Sequence, residues 1–191
     1  MHTDKEQVTI HYEERNVATV ISDTLYHWSF PMNKPIVVLC IGTDRSTGDS
    51  LGPFIGTYLT EKYKLENLIV YGTLNEPVHA KNLSTILEEV NRKHNNALVL
   101  AIDACLGRSS SVGHILCGKG KLKPGSAFNK VLPPVGDFYL AGIVNVAGFM
   151  EYSILQSTRL SLVTNMAKQI AKSLFLLDYK FSATPVYRVD H

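Results

Sequence analysis

Two kinds of apolar pattern alternate along this chain of 191 residues, and their order constrains the fold more than any other feature. Continuous apolar runs, typical of strands buried on both faces, occupy residues 35–41, 68–71 and 98–102. Apolar residues at helical spacing follow the first two runs, over residues 51–63 and 81–93. Strands that alternate with helices in this way form parallel sheets covered by helices on both faces. The sequence therefore predicts a three-layer α/β/α fold with a mainly parallel sheet.

The rest of the chain extends the same domain. Further strands are predicted over residues 113–117, where the pattern is weaker, and over residues 138–147, and a long closing helix is predicted over residues 158–176. A helix over residues 17–30 lies within the first 34 residues, which we expect to precede the sheet as an N-terminal helical extension packed on it. No repeat or low-complexity linker divides the sequence, so residues 1–191 are predicted to form a single domain.

Charge and hydropathy argue against several functional classes. The formal net charge of +2 is too small to favour a nucleic-acid partner. No apolar run approaches the roughly 18 residues of a membrane span, and the polar N-terminus lacks the pattern of a signal peptide. We therefore expect a cytoplasmic protein with no membrane partner. The three cysteines have no metal-ligand spacing and are predicted to be reduced thiols. Cys105 is expected to be a poor nucleophile because the neighbouring Asp103 raises the pKa of its thiol.

Acidic residues follow two of the predicted strands. Asp44 and Asp49 lie in the loop after the first strand, and Asp103 comes directly after the third. Right-handed crossovers place every strand-to-helix loop on one edge of a parallel sheet, where open α/β folds bind their ligands. Two carboxylates held close together cannot both ionise easily, so one tends to keep its proton. Asp49 and Asp103 are therefore predicted to supply a general base and a general acid that activate water against a peptide carbonyl.

Other roles for these residues stay open at this point. Asp49 could cap the helix that follows it, and Asp103 could accept backbone hydrogen bonds in a turn. Both acids could instead stay ionised and bind a divalent cation that activates the water. In that case His79 or Glu76, in the loop after the second strand, should lie beside them; otherwise His79 is an ordinary loop histidine.

Four segments resemble the spore germination protease family, in the same order and over residues 36–150. Residues 48–53 (GDSLGP) resemble its PDALGP segment, and residues 102–108 (IDACLGR) resemble its VDALAAR segment. Residues 123–130 and 142–146 are similar to two further segments of that family. The chain length and the strand pattern look most like the related YyaC-type spore proteases. In place of the germination protease's Asn-Trp-Asn, this chain has Thr43-Asp44-Arg45, which adds an acidic and a basic side chain.

The resemblance implies a phosphorylase/hydrolase-like fold, shared with the hydrogenase maturation endopeptidases, and an endopeptidase acting in sporulation or germination. Asp49 and Asp103 would be its catalytic pair, and its substrates would be small acid-soluble spore proteins in the spore or forespore. No cofactor is required, although a divalent metal held by Asp49, Asp103 and His79 is compatible with it, as is a homo-oligomer. The expected substrate-binding residues are Thr43, Asp44, Gly48, Gly72, Arg108, Asn129 and Lys130. The alternative is a catalytically silent sporulation protein that binds a partner peptide.

Overall fold

The computed structural model describes residues 6–125 and 132–184 of the chain. Its strands are β1 (Gln7–His11), β2 (Ile36–Cys40), β3 (Leu68–Tyr71), β4 (Leu98–Gly107), β5 (His114–Lys119) and β6 (Phe138–Val146). Its helices are α1 (Val17–Ser29), α2 (Leu51–Lys62), α3 (Leu83–Lys93), α4 (Glu151–Gln156) and α5 (Leu160–Ala183). The described helices include none that is both long and apolar enough to cross a membrane.

The six strands form one sheet in the order β1-β5-β6-β4-β2-β3. Strands β3, β2, β4 and β6 are parallel to their neighbours in that series, and β5 runs antiparallel to both β6 and β1. The predicted α/β fold with a mainly parallel sheet is therefore confirmed. One detail was wrong: the first 34 residues do not simply precede the sheet, because β1 pairs with β5 along its edge.

The alternation of side chains along β2 builds the two interior layers. Ile36, Val38 and Cys40 pack into a core shared with α1, α2 and α5. Leu39 and Ile41 belong to a smaller core on the opposite face, which includes Leu83 of α3. Because successive residues of a strand point to opposite faces, a run that is apolar at every position requires helices on both sides. This is the three-layer arrangement that the sequence predicted.

The turn between β2 and α2 depends on close backbone contacts. Gly42 has a φ of +145°, and a Cβ at this position would lie 2.0 Å from the backbone oxygen of Asp49. A Cβ on Gly52 would lie 2.1 Å from the backbone oxygen of Ile41. Residues with side chains could not be accommodated here without moving the backbone. The two glycines thus allow α2 to begin against the end of β2, which fixes Asp49 at the carboxyl edge of the sheet.

Strand β4 is longer than its apolar run predicts. It continues through Asp103 to Gly107, because β6 pairs along it with a register shift between Cys105 and Leu106. Asp103 therefore lies within a strand, opposite Ala141, rather than in the turn that follows one. Its backbone position is set by the sheet.

Candidate active site

Asp49 and Asp103 line one cavity of about 460 Å³ at the carboxyl end of the parallel strands. The loops after β2 and β3 and the middle of β4 all contribute to its wall, as right-handed crossovers require. The other wall residues are Ile41, Gly42, Thr43, Asp44, Arg45, Ser46, Pro77, His79, Ala80, Lys81, Gly125, Leu132 and Tyr152.

Asp49 lies in a single 3-10 turn, Gly48–Ser50, that leads into α2. Its side chain is buried, with 9% of the residue surface exposed. Helix α2 has no side-chain capping bond, and the hydroxyl of Ser50 donates to the backbone oxygen of Thr47 instead. The carboxyl group of Asp49 therefore does not serve as the helix cap that was one alternative for it. Burial raises the pKa of Asp49 to about 6, and a backbone hydrogen bond from Thr43 lowers it in part.

Asp103 is buried more deeply and is held by two backbone donors. Its Oδ1 accepts a hydrogen bond from the N–H of Ala104 at 2.8 Å, and its Oδ2 accepts one from the N–H of Gly125 at 3.2 Å. Burial and then the charge of Asp49 raise the pKa of Asp103 to about 8, although both donors oppose that rise. We interpret this as an ordered titration, in which Asp49 ionises first and its charge then disfavours ionisation of Asp103. Near neutral pH the pair accordingly carries one proton.

His79 lies on the same wall as the two acids, whereas Glu76 does not. Asp49, Asp103 and His79 all line the cavity. Within residues 6–125 and 132–184, no group of three or more His, Cys, Asp or Glu side chains is arranged to hold a metal ion. The described donor set therefore does not fit a three-ligand metal centre.

The other predicted site residues divide into two groups. Thr43 and Asp44 line the cavity, whereas Gly48, Gly72 and Arg108 lie outside its wall. A Cβ on Gly72 would lie 2.0 Å from the backbone oxygen of Cys40, so this glycine serves the packing of β3 against β2. Asn129 and Lys130, predicted to position substrate, lie outside the described residues.

The thiol of Cys105 is disfavoured as a nucleophile. Burial, followed by the charge of Asp103, raises its pKa to about 12. A thiol with such a pKa is almost entirely protonated at neutral pH, and the thiolate is the reactive form. The oxygen groups of the cavity are thus the better candidates for chemistry.

Comparison with known proteins gives three findings. The family described as "Protein of unknown function (DUF1256)" matches residues 9–173. The uncharacterized protein YyaC of Bacillus subtilis (strain 168) is 51% identical over 164 residues, which cover 86% of this chain and 78% of that protein. The crystal structure of the NiFe hydrogenase maturation protease HycI from Thermococcus kodakarensis KOD1 is similar with a TM-score of 0.55 and 16% identity, over 84% of this chain and 99% of that one. At that identity the likeness to HycI establishes a shared fold and does not by itself assign an activity.

Proposed function

The chain belongs to the DUF1256 family, and we propose that it is a hydrolase that cleaves peptide bonds with Asp49 and Asp103. The observation that carries this proposal is the pair of buried carboxyl groups on one cavity, whose pKa values lie at about 6 and about 8. Two titratable groups with pKa values separated across neutral pH are suited to act as base and acid in one reaction. The fold shared with a maturation protease supports the same reaction class.

The proposed reaction uses one proton shared by the pair. Ionised Asp49 accepts a proton from a water molecule whose oxygen bonds to the carbonyl carbon, while Asp103 gives its proton to the carbonyl oxygen. The resulting diol then collapses. Asp103 regains a proton from one hydroxyl, and Asp49 gives its proton to the amide nitrogen as the C–N bond breaks and its electron pair moves to that nitrogen. The products are a carboxylic acid and an amine, and both aspartates return to their starting protonation states.

We also propose a sporulation role, with small acid-soluble spore proteins as substrates. This part is supported by the similarity of residues 48–53 and 102–108 to the germination protease segments, each of which contains one of the two acids. The spore or forespore would then be its compartment.

The test is cleavage of purified small acid-soluble spore proteins by the wild-type protein and by Asp49→Asn and Asp103→Asn variants. We expect each variant to lose at least about 10²-fold in rate, the usual contribution of a general acid or base. Asp23→Asn is the matched control, because this substitution makes the same chemical change away from the cavity. Asp23 lies on α1 and forms a surface ion pair with Lys180. Mass spectrometry of the products would locate the cleaved bond. Equal rates for the control and the two site variants would refute the catalytic pair.

An exposed apolar segment beside the cavity favours a second candidate, a catalytically silent protein that binds a partner peptide. Phe149 is fully exposed and Met150 is 75% exposed, and they precede Tyr152 on the cavity wall. Such surfaces mark protein interaction sites. This candidate predicts that the wild-type protein binds the spore proteins, leaves them intact, and binds them equally well after Asp49→Asn or Asp103→Asn.

A further inference from the structure

Two buried polar side-chain atoms in the described ranges have no hydrogen-bond partner, and both belong to residues that line the aspartate cavity. They are Oγ of Ser46 and Nδ1 of His79. Burying a polar atom without a partner destabilises the folded state, so such atoms are rare in native proteins. Where they occur beside a cavity, a bound ligand is one physical reason for keeping them.

Ser46 lies in the loop between β2 and α2 and is only 3% exposed. Ser50, four residues further along the same loop, is also 3% exposed, but its Oγ donates to the backbone oxygen of Thr47 at 2.6 Å. Local backbone acceptors are thus within reach of one serine of this loop and not of the other. The hydroxyl of Ser46 is therefore buried without a partner among the described residues.

The main chain around His79 is fixed by several hydrogen bonds. Its N–H donates to Oδ1 of Asn82 at 2.8 Å, and Nδ2 of Asn82 donates to the backbone oxygen of Pro77 at 3.0 Å. Val78 forms a parallel bridge with Ile41 at the end of β2. The backbone is thus satisfied while the ring nitrogen Nδ1 is not. The imidazole is held on the cavity wall by the sheet edge and by the first turn of α3.

We propose that Ser46 and His79 are substrate-contacting residues that bind the main chain of an extended peptide; this inference rests on the proposed function. The hydroxyl of Ser46 donates to the carbonyl oxygen of the scissile bond, and Nδ1 of His79 hydrogen-bonds to an adjacent main-chain group. Ser46 keeps its proton and forms no covalent bond. Until the proton of Asp103 is fully transferred, the carbonyl oxygen gains negative charge as water adds, so the hydrogen bond from Ser46 strengthens in the transition state and should act mainly on kcat.

The serine contact is tested by comparing Ser46→Ala with Ser50→Ala. We expect Ser46→Ala to lower kcat by about 10²-fold, the usual effect of removing one oxyanion donor, with little change in KM. Its Tm should stay the same or rise, because the replaced hydroxyl has no partner to lose. Ser50→Ala should do the reverse, lowering the Tm by a few degrees and leaving kcat unchanged, since it breaks an existing bond. A Tm loss in Ser46→Ala equal to that in Ser50→Ala would show that a buried water already satisfies Ser46, and would overturn the proposal for it.

The histidine contact is tested by rescue. Asparagine places a polar atom near the position of Nδ1, whereas glutamine places one near Nε2. We expect His79→Ala to lower kcat/KM by about 10-fold or more, the scale of one lost hydrogen bond to substrate. His79→Asn should recover most of that loss and His79→Gln should not. Equal activity of the asparagine and glutamine variants would overturn the role of Nδ1.

A binding measurement separates failure of this inference from failure of the proposed hydrolysis. The probe is a library of hexapeptides in which a central hydroxyethylene group replaces one amide, titrated into the wild-type protein, Ser46→Ala and His79→Ala. If the wild type binds the library but cleaves no peptide, and both variants bind about 10-fold more weakly, the proposed substrate contacts are supported and the proposed hydrolysis is refuted. If the wild type cleaves peptides and both variants match it in binding and rate, the hydrolysis is supported and the contacts are refuted. No binding to the wild-type protein would overturn both.

Discussion

Asp49 and Asp103 differ in pKa because they are buried in different ways. Asp49 lies in a short turn directly before the N-terminus of α2, and burial alone raises its pKa to about 6. Asp103 lies inside β4, where deeper burial is joined by repulsion from the charge of Asp49, and its pKa reaches about 8. The two backbone N–H groups that bind Asp103 limit the rise without cancelling it. The order of ionisation is thus set by position in the fold and not by residue type.

The pH dependence of cleavage should follow from this order. We expect kcat/KM to rise as Asp49 ionises near pH 6 and to fall as Asp103 ionises near pH 8, which gives a bell-shaped profile with its maximum near pH 7. Initial rates of peptide cleavage measured between pH 4.5 and 9.5 would test it. Asp23→Asn should leave the profile unmoved. A rate that is maximal below pH 5 would contradict a pair sharing one proton at neutral pH.

The acids could be predicted from the sequence, and the orphaned polar atoms could not. Asp103 directly follows one apolar run and Asp49 lies in the loop after another, so the topology of a parallel sheet was enough to bring them to one edge. Ser46 and His79 differ from other loop residues only in lacking a partner once buried, and that depends on every neighbouring backbone group. Gly72, by contrast, was expected to shape the pocket, but it does not line the cavity, and a Cβ at its position would lie 2.0 Å from the backbone oxygen of Cys40.

At the scale of elements, one buried carboxylate joins α5 to the start of β3. Asp178 of α5 is 3% exposed and accepts hydrogen bonds from the backbone N–H groups of Glu66, Asn67 and Leu68 at 2.7–3.2 Å. Leu68 begins β3, which is the edge strand of the sheet within the described residues, and Glu66 and Asn67 directly precede it. A charged acceptor can satisfy several donors at once, which a strand end cannot do for itself.

Asp178→Ala should destabilise the protein by about 3 kcal/mol, because it removes charge-assisted hydrogen bonds and leaves their donors without an acceptor. Asp178→Asn keeps one oxygen acceptor and should lose about half as much. Urea unfolding of each variant gives the free energy. Asp23→Asn, which breaks a surface ion pair, should cost no more than about 1 kcal/mol. If Asp178→Ala lost as little unfolding free energy as that control, the hydrogen bonds of Asp178 would not stabilise the contact between α5 and the start of β3.

Elements with a strong local signal were predicted, and those that depend on a partner strand were not. Strand β3 has the predicted bounds, because its four apolar residues lie between Asn67 and Gly72, which do not continue the apolar run. Strand β1 was missed, since among its five residues only Ile10 is fully buried and its conformation depends on pairing with β5. Helix α4 has six residues, which is too short for a helical period to be recognised. The extension of β4 past Asp103 likewise depends on β6.

At the scale of the whole molecule, the site couples protonation to global stability. The pKa of Asp103 rises from its ordinary 3.8 to about 8 on folding, so between these values the folded protein holds a proton that the unfolded chain has released. Stability is then highest below about pH 4 with respect to this group, and it falls as the pH rises towards 8. Asp49 contributes in the same direction up to about pH 6. Burial that keeps Asp103 protonated at neutral pH thus makes the folded state less stable as the pH rises towards 8.

Replacing Asp103 with asparagine should remove most of this dependence, because the amide is neutral in both the folded and the unfolded state. Each pH unit within the affected range corresponds to about 1.4 kcal/mol for one group. Between pH 5 and 8 the wild-type protein should therefore lose up to about 4 kcal/mol more unfolding free energy than Asp103→Asn. Urea unfolding at pH 5, 6, 7 and 8 gives both curves, and equal m-values would confirm that the same surface is exposed. Asp23→Asn should run parallel to the wild type; if Asp103→Asn did so as well, Asp103 would be ionised in the folded protein at pH 5, and the shared proton would be lost as a basis for catalysis.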